Sequence, residues 1–242
     1  MFITRKELES SNVENIVCVP LIVEEKCIGV MNITNKTTGE EFSREDIELL
    51  TMLAGQVAVT INNANLYNLA ITDGLTQCFI KRYIDQLLKD ELTRAKRYGR
   101  PLSVLMLDID HFKTINDRFG HQQGDSVLAE IGHIIRTSVR EVDSPARYGG
   151  EEFLIIMPET EGAQTVAMAE RIRQIIEKHE FRSLDDKPMR LTASIGIATF
   201  PHNALSEEGL VRKADMALYK SKEDGRNRVT VSSDEAMTDA QI

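Results

Sequence analysis

The sequence has no uninterrupted apolar run approaching the roughly 20 residues that cross a bilayer, and Met1 to Glu7 lacks the ordered charged, apolar and cleavage regions of a signal peptide. Membrane insertion is therefore not expected, and the expected location is the cytoplasm. Cysteine is scarce. Cys18, Cys27 and Cys78 are odd in number and spaced for neither a zinc ribbon nor a disulfide framework, which points to a reducing compartment and three packing residues. With 14 glycines and 6 prolines among 242 residues, collagen-like and low-complexity chains are excluded. A basic excess is also missing: 29 Lys and Arg against 38 Asp and Glu give a net charge of −9, which argues against binding a nucleic acid polymer. An anionic small substrate would need local cations, bound metal, or both.

What is present is ordinary globular material, 42% hydrophobic and 28% charged, enough for one large domain or one domain with an appendage. Ile16 to Val23 and Lys26 to Ile33 read as two strands joined by a turn at Glu24-Glu25. Two strands are too little sheet to stand alone, so residues 1–42 are expected to be the tail of a larger domain. Ser43 is then a helix N-cap, with Asp46 completing a variant capping box. Apolar or small residues at Ile47, Leu50, Ala54, Val57, Ile61, Ala64 and Ile71 continue a helix over residues 43–72, about 43 Å long at ~1.5 Å per residue. That stripe suits either packing on its own domain or a parallel homodimer seam, and the spacing supports the seam. From Asp73 to Val231 helices and strands alternate, with helices expected over 79–98, about 112–138 (broken near Gly120), 163–180 and 206–223, predicting an α+β domain, and residues 232–242 read as a disordered tail.

Two acidic clusters stand out. Asp108-Ile109-Asp110 ends an apolar strand, and alternation puts both aspartates on one face. This is either a solvated strand end or a place where a hard cation relieves carboxylate repulsion. Gly149-Gly150 between apolar runs predicts a two-residue hairpin with positive φ, placing Glu151 and Glu152 at its tip.

Gly149-Gly150-Glu151-Glu152-Phe153 resembles the GGEEF form of the signature of GGDEF-domain diguanylate cyclases. Further motifs follow in the family's order: Asp73-Gly74-Leu75-Thr76 (DxLT), Asp108 to Asp117 (DxDxFKxxND), Gly120 to Asp125 (GHxxGD), the strand Leu191 to Ala198, and Ala214 to Asn227 (ADxALYxxKxxGRN). The resemblance covers residues 73–231. It implies a palm fold like that of adenylyl cyclases, a central, mainly antiparallel sheet with flanking helices. The implied reaction condenses two GTP into cyclic di-GMP with Mg²⁺ or Mn²⁺. Asp108, the Ile109 carbonyl and Glu151 are implied metal ligands, with Glu152 close by as a further ligand or proton acceptor. Asn116 and Asp125 are implied guanine contacts, and Lys113, Lys222 and Arg226 implied triphosphate contacts. The donor and acceptor chemistry agrees with those residue types. Read locally, Lys222 and Arg226 are also an i, i+4 pair suited to a helix C-terminus.

Arg140-Glu141-Val142-Asp143 matches the family's RxxD inhibitory site for product, although RxxD alone is commonly a helix-end ion pair. After DxLT the chain departs from the family's GLxNRR: Gln77 to Arg82 keeps only the basic pair Lys81-Arg82. Residues 13–70 resemble the C-terminal part of a GAF domain. An alternative to the active enzyme is a catalytically silent module that binds cyclic di-GMP.

Overall fold

The computed structural model describes residues 13–233, in two units that meet between Ala70 and Ile71. In the first, β1 (Ile16–Val23) and β2 (Lys26–Thr34) pair antiparallel across Glu24-Glu25, both at positive φ. The helix α1 (Arg44–Ile71) follows. Its start is closed reciprocally: the Asp46 amide donates to Ser43 Oγ at 3.2 Å and the Ser43 amide donates to Asp46 Oδ2 at 2.7 Å. Leu50, Ala54 and Ala58 pack on Val19 and Leu21 of β1. Leu50 and Ala54 thus face their own sheet, which removes them from the expected seam, because the spacing of apolar residues along a helix does not say which of two partners they meet.

The second unit is built on a six-stranded sheet in the order β10-β9-β4-β6-β5-β3. These are β3 (Phe79–Ile80), β4 (Leu102–Ile109), β5 (Ser144–Arg147), β6 (Glu152–Pro158), β9 (Ala193–Phe200) and β10 (Val229–Val231). The three inner pairings from β9 to β5 run antiparallel, while β10 on β9 and β3 on β5 are parallel. Every residue of β4 is buried because both faces are covered, as its continuous apolar run requires. Leu105, Leu107 and Ile109 point to α3 (Phe112–Phe119), α4 (His121–Ser138) and α5 (Gly162–Lys178). Val104 and Met106 point to α2 (Lys81–Tyr98) and α6 (Glu207–Glu223). The expected α+β sheet with flanking helices is therefore observed.

Four local expectations are corrected. Phe79-Ile80, expected in α2, forms an edge strand because it finds β5 alongside. The helix expected to reach residue 180 stops at Lys178, and Phe181–Arg182 (β7) pairs instead with Pro188–Met189 (β8). Ser232, expected in the tail, donates its amide to the Ile197 carbonyl, continuing the sheet edge. Residues 234–242 lie outside the described residues. Finally, Gly149 and Gly150 do not have positive φ. β5 ends at Arg147 and β6 starts at Glu152, and the four-residue loop between them, 148–151, is closed by the Tyr148 and Gly149 amides, which both donate to the Glu152 carbonyl.

Among the described residues no helix is long and apolar enough to cross a membrane.

Candidate active site

Asp108 occupies the last turn of the β4 pleat on the α2/α6 face, directly opposite Glu152 of β6 and Ser194 of β9. Lys222, in the last turn of α6, places Nζ 2.8 Å from Asp108 Oδ2. Its rotation is set one residue earlier, where Ser221 Oγ bonds the Ile195 carbonyl at 2.9 Å and Thr230 Oγ1 at 2.7 Å. Burial pushes the Asp108 pKa up, and the Asp110 charge adds to this against the pull of Lys222. Burial also raises Glu151, helped by the charges of Asp108 and Glu152. Asp108, Glu151 and Glu152 therefore share one electrostatic environment. A Cβ on Gly149 would stand 2.5 Å from Glu152 Oε2, so the missing side chain is what gives the Glu152 carboxylate its room.

Asp110 takes another role than that of a paired cation ligand. The strand has ended, and its carboxylate accepts from Ser194 Oγ (2.7 Å), Thr192 Oγ1 (2.6 Å) and the Asn227 amide (3.1 Å). It thus pins the loop 224–228, whose residues Gly225, Arg226 and Asn227 all have positive φ. Arg226 stands in that loop, beyond the end of α6 at Glu223, so it is not an i, i+4 helical partner of Lys222. Asp110, Thr192, Ser194 and Asn227 are supporting residues that the sequence motifs contain without disclosing their role.

Asn116 on α3 has a buried Oδ1 with no hydrogen-bond partner. Gly124 of α4 packs directly against it, and a Cβ there would collide with Oδ1 and with the Phe112 ring. An orphaned buried acceptor carries a desolvation cost of about 1–3 kcal/mol, so it is a place for a donor to arrive. Asp125, one residue on from Gly124, is exposed, as is Lys113. The structure brings Asp108, Glu151, Glu152 and Lys222 together, and sets Asn116 beside the helix that carries Asp125. The side chain of Ile109 is buried on the opposite face, leaving only its carbonyl for a ligand.

The hairpin is braced from behind. Arg147 donates through Nε and Nη2 to the Gly150 carbonyl (3.2 and 2.9 Å), and its Nη1 lies 3.3 Å from Asp73 Oδ2. Asp73 also accepts from the Thr76 amide and hydroxyl, both at 2.8 Å. Although burial works against it, these bonds and the Arg147 charge bring Asp73 below the ordinary carboxylate value.

Arg140 and Asp143 form a closed pair. Arg140 donates to Asp143 through its amide (2.9 Å), Nε (3.1 Å) and Nη2 (2.7 Å), and Nη2 also reaches Thr160 Oγ1 at 2.6 Å. The Asp143 side chain is wholly buried, while that of Arg140 is 45% exposed beside a cavity of about 290 Å³.

The donor set fits a hard divalent cation. It offers carboxylate oxygens that crowd one another, and Lys222 already supplies positive charge where such an ion would. Among the described residues no three His, Cys, Asp or Glu form a ready-made cage, so substrate phosphates would complete the coordination. A pH dependence follows. Because Asp108 and Glu151 are raised in the folded chain, the stability they contribute is full below the ordinary values of 3.8 and 4.5 and is lost as the pH rises past their folded values. Added Mg²⁺ is expected to raise the melting temperature at neutral pH, by about 2–4 °C per kcal/mol of binding linkage, and to do little at pH 4. Calorimetry with and without Mg²⁺ checks this, and an increment independent of pH contradicts it.

Residues 70–228 match the family model described as diguanylate cyclase, GGDEF domain, and residues 2–61 match that of the GAF domain. Diguanylate cyclase A of Treponema denticola is 38% identical over 218 residues, covering 88% of this chain and 58% of that protein, so the chain spans less than two thirds of that relative. The GGDEF domain of DgcB from Caulobacter crescentus in complex with c-di-GMP is similar at a TM-score of 0.65 and 34% identity, covering 68% of this chain and 94% of that one. The coiled coil and GGDEF domain of the same protein, also in complex with c-di-GMP, gives 0.69 and 30%, covering 78% and 100%.

Proposed function

This chain belongs to the GGDEF-domain family of diguanylate cyclases, and from that premise we propose that it condenses two GTP into cyclic di-GMP with release of two pyrophosphates. The observation that carries the reading is the cluster of Asp108, Glu151 and Lys222 at the sheet end, completed by the orphaned Asn116 acceptor. Guanine offers N1–H and N2–H₂ donors, which Asn116 Oδ1 and the Asp125 carboxylate accept. Lys113, Lys222 and Arg226 hold the triphosphate, supplying the local cations that a net charge of −9 otherwise withholds. A Mg²⁺ or Mn²⁺ held by Asp108, the Ile109 carbonyl and Glu151 would stabilise the attacking 3′-oxygen and the leaving pyrophosphate. Glu152 would serve as a further metal ligand or accept the 3′-hydroxyl proton. In each of two such steps a 3′-O–P bond forms and the bond between the α-phosphorus and the bridging oxygen breaks. Each chain holds one GTP, so two chains must face one another, and α1 is the element proposed to pair them.

The test is incubation of the full chain with GTP and Mg²⁺. Cyclic di-GMP and pyrophosphate in a 1:2 ratio are expected, and neither product at high protein concentration would overturn the reading. The silent binding module is the weaker account, because every acidic and basic position that the chemistry needs is in place.

Product feedback through Arg140 and Asp143 is part of the proposal. The resting pair means that a purine must displace Thr160 and Asp143 from the guanidinium before it can be stacked and hydrogen-bonded. Arg140→Ala is expected to raise the cyclic di-GMP concentration for half inhibition at least about tenfold, while leaving Asp143 buried with fewer donors costs about 1–3 kcal/mol of stability. Inhibition assays beside thermal melts separate the two effects, and unchanged inhibition would reduce the motif to a structural ion pair.

A further inference from the structure

The basic pair that Gln77 to Arg82 keeps from the family pattern stands in an unfavourable place. Lys81 and Arg82 open α2, where the helix dipole is positive, and no acidic residue stands in the first turn. Ile80, the N-cap, offers no side-chain acceptor. A local rule broken this way points to a contact elsewhere. That contact follows from strand register. β3 pairs in parallel with β5, Ile80 opposite Arg147, so the next residues, Lys81 and Tyr148, stand side by side. Lys81 Nζ lies 3.2 Å from the centre of the Tyr148 ring, within cation–π range, and its nearest carboxylate, Asp85, is 4.0 Å away. The ring also packs against the core shared by α2 and α6. Tyr148 is the first residue of the loop that carries Glu151, and its amide closes that loop on the Glu152 carbonyl at 2.8 Å.

We propose that Lys81 is a positioning residue: by holding the Tyr148 ring from the N-terminus of α2, it keeps the loop 148–151 in the geometry that presents Glu151 and Glu152. It acts on the opposite side of the loop from the Arg147–Asp73 brace, through a ring face rather than a carbonyl. The proposal rests on the reading that Glu151 and Glu152 serve GTP turnover.

The test uses the full chain with Lys81→Ala, Lys81→Arg, Tyr148→Ala and the double variant Lys81→Ala/Tyr148→Ala. Lys81→Ala is expected to lower kcat about tenfold with KM for GTP within about twofold, and to speed hydrogen exchange at the Tyr148 and Gly149 amides about tenfold. Lys81→Arg, which also stacks a cation on the ring, should restore both readouts, and the double variant should be no worse than Tyr148→Ala alone. Parent-like exchange in Lys81→Ala overturns the proposal, as does a loss that arginine does not rescue or losses that simply add. Failure of the underlying reading shows separately, as turnover that survives Glu151→Gln, while the exchange measurement stands without any turnover.

Discussion

Glu151→Gln is expected to remove at least about 10²–10³-fold of the GTP turnover while raising the melting temperature of the metal-free chain at neutral pH. The two effects share a cause. Burial and the neighbouring charges of Asp108 and Glu152 make an ionised Glu151 costly, so its pKa is raised. Glutamine keeps the shape and removes the charge, which relieves the folded chain and takes away an oxygen able to bind a hard cation tightly. The parent should gain more melting temperature from Mg²⁺ than the variant does. Steady-state pyrophosphate release and paired melts measure these quantities. A variant that loses activity together with stability would mean that Glu151 is a structural residue. One that retains activity would move the chemistry elsewhere.

Val57→Glu combined with Ile61→Glu is expected to cut specific activity at least about tenfold at low protein concentration and to leave it near normal at high concentration. Both positions are open in the single chain, Val57 at 39% and Ile61 at 40% exposure, with Leu53 and Leu66 more exposed still. Charge there should leave the chain's own packing intact, since Leu50, Ala54 and Ala58 make the contacts to β1. In an apolar seam between two chains, unpaired carboxylates cost several kcal/mol, and each 1.4 kcal/mol weakens association about tenfold. Sedimentation across a concentration series, run beside activity, checks both halves. Identical concentration dependence in parent and variant, both monomeric, would show that α1 does not pair the chains.

The sequence by itself determined what depends on near neighbours along the chain. The capping of α1 by Ser43 and Asp46, the buried run of β4, the break at Gly120 and the placing of Asp108 and Glu151 at element ends were all legible, because they follow from side-chain period and from the chemistry of adjacent residues. Motif order carried the candidate site further, to Asn116, Lys222 and Arg140. Tertiary structure alone decided how those residues are used. Asp110 turns to the amide of Asn227, 117 residues away, and Ser194 and Thr192 complete its bonds. Arg226 leaves the helical phase of Lys222 because α6 has ended. The positive-φ hairpin turn falls on Glu24-Glu25, while Gly149 and Gly150 do without it, since a four-residue loop meets the strand twist with ordinary backbone. Lys81 reaches Tyr148 only because β3 joins the edge of β5. In each case the partner is set by which strands become neighbours in the sheet, and residues far apart in sequence carry no local pattern from which that pairing can be read.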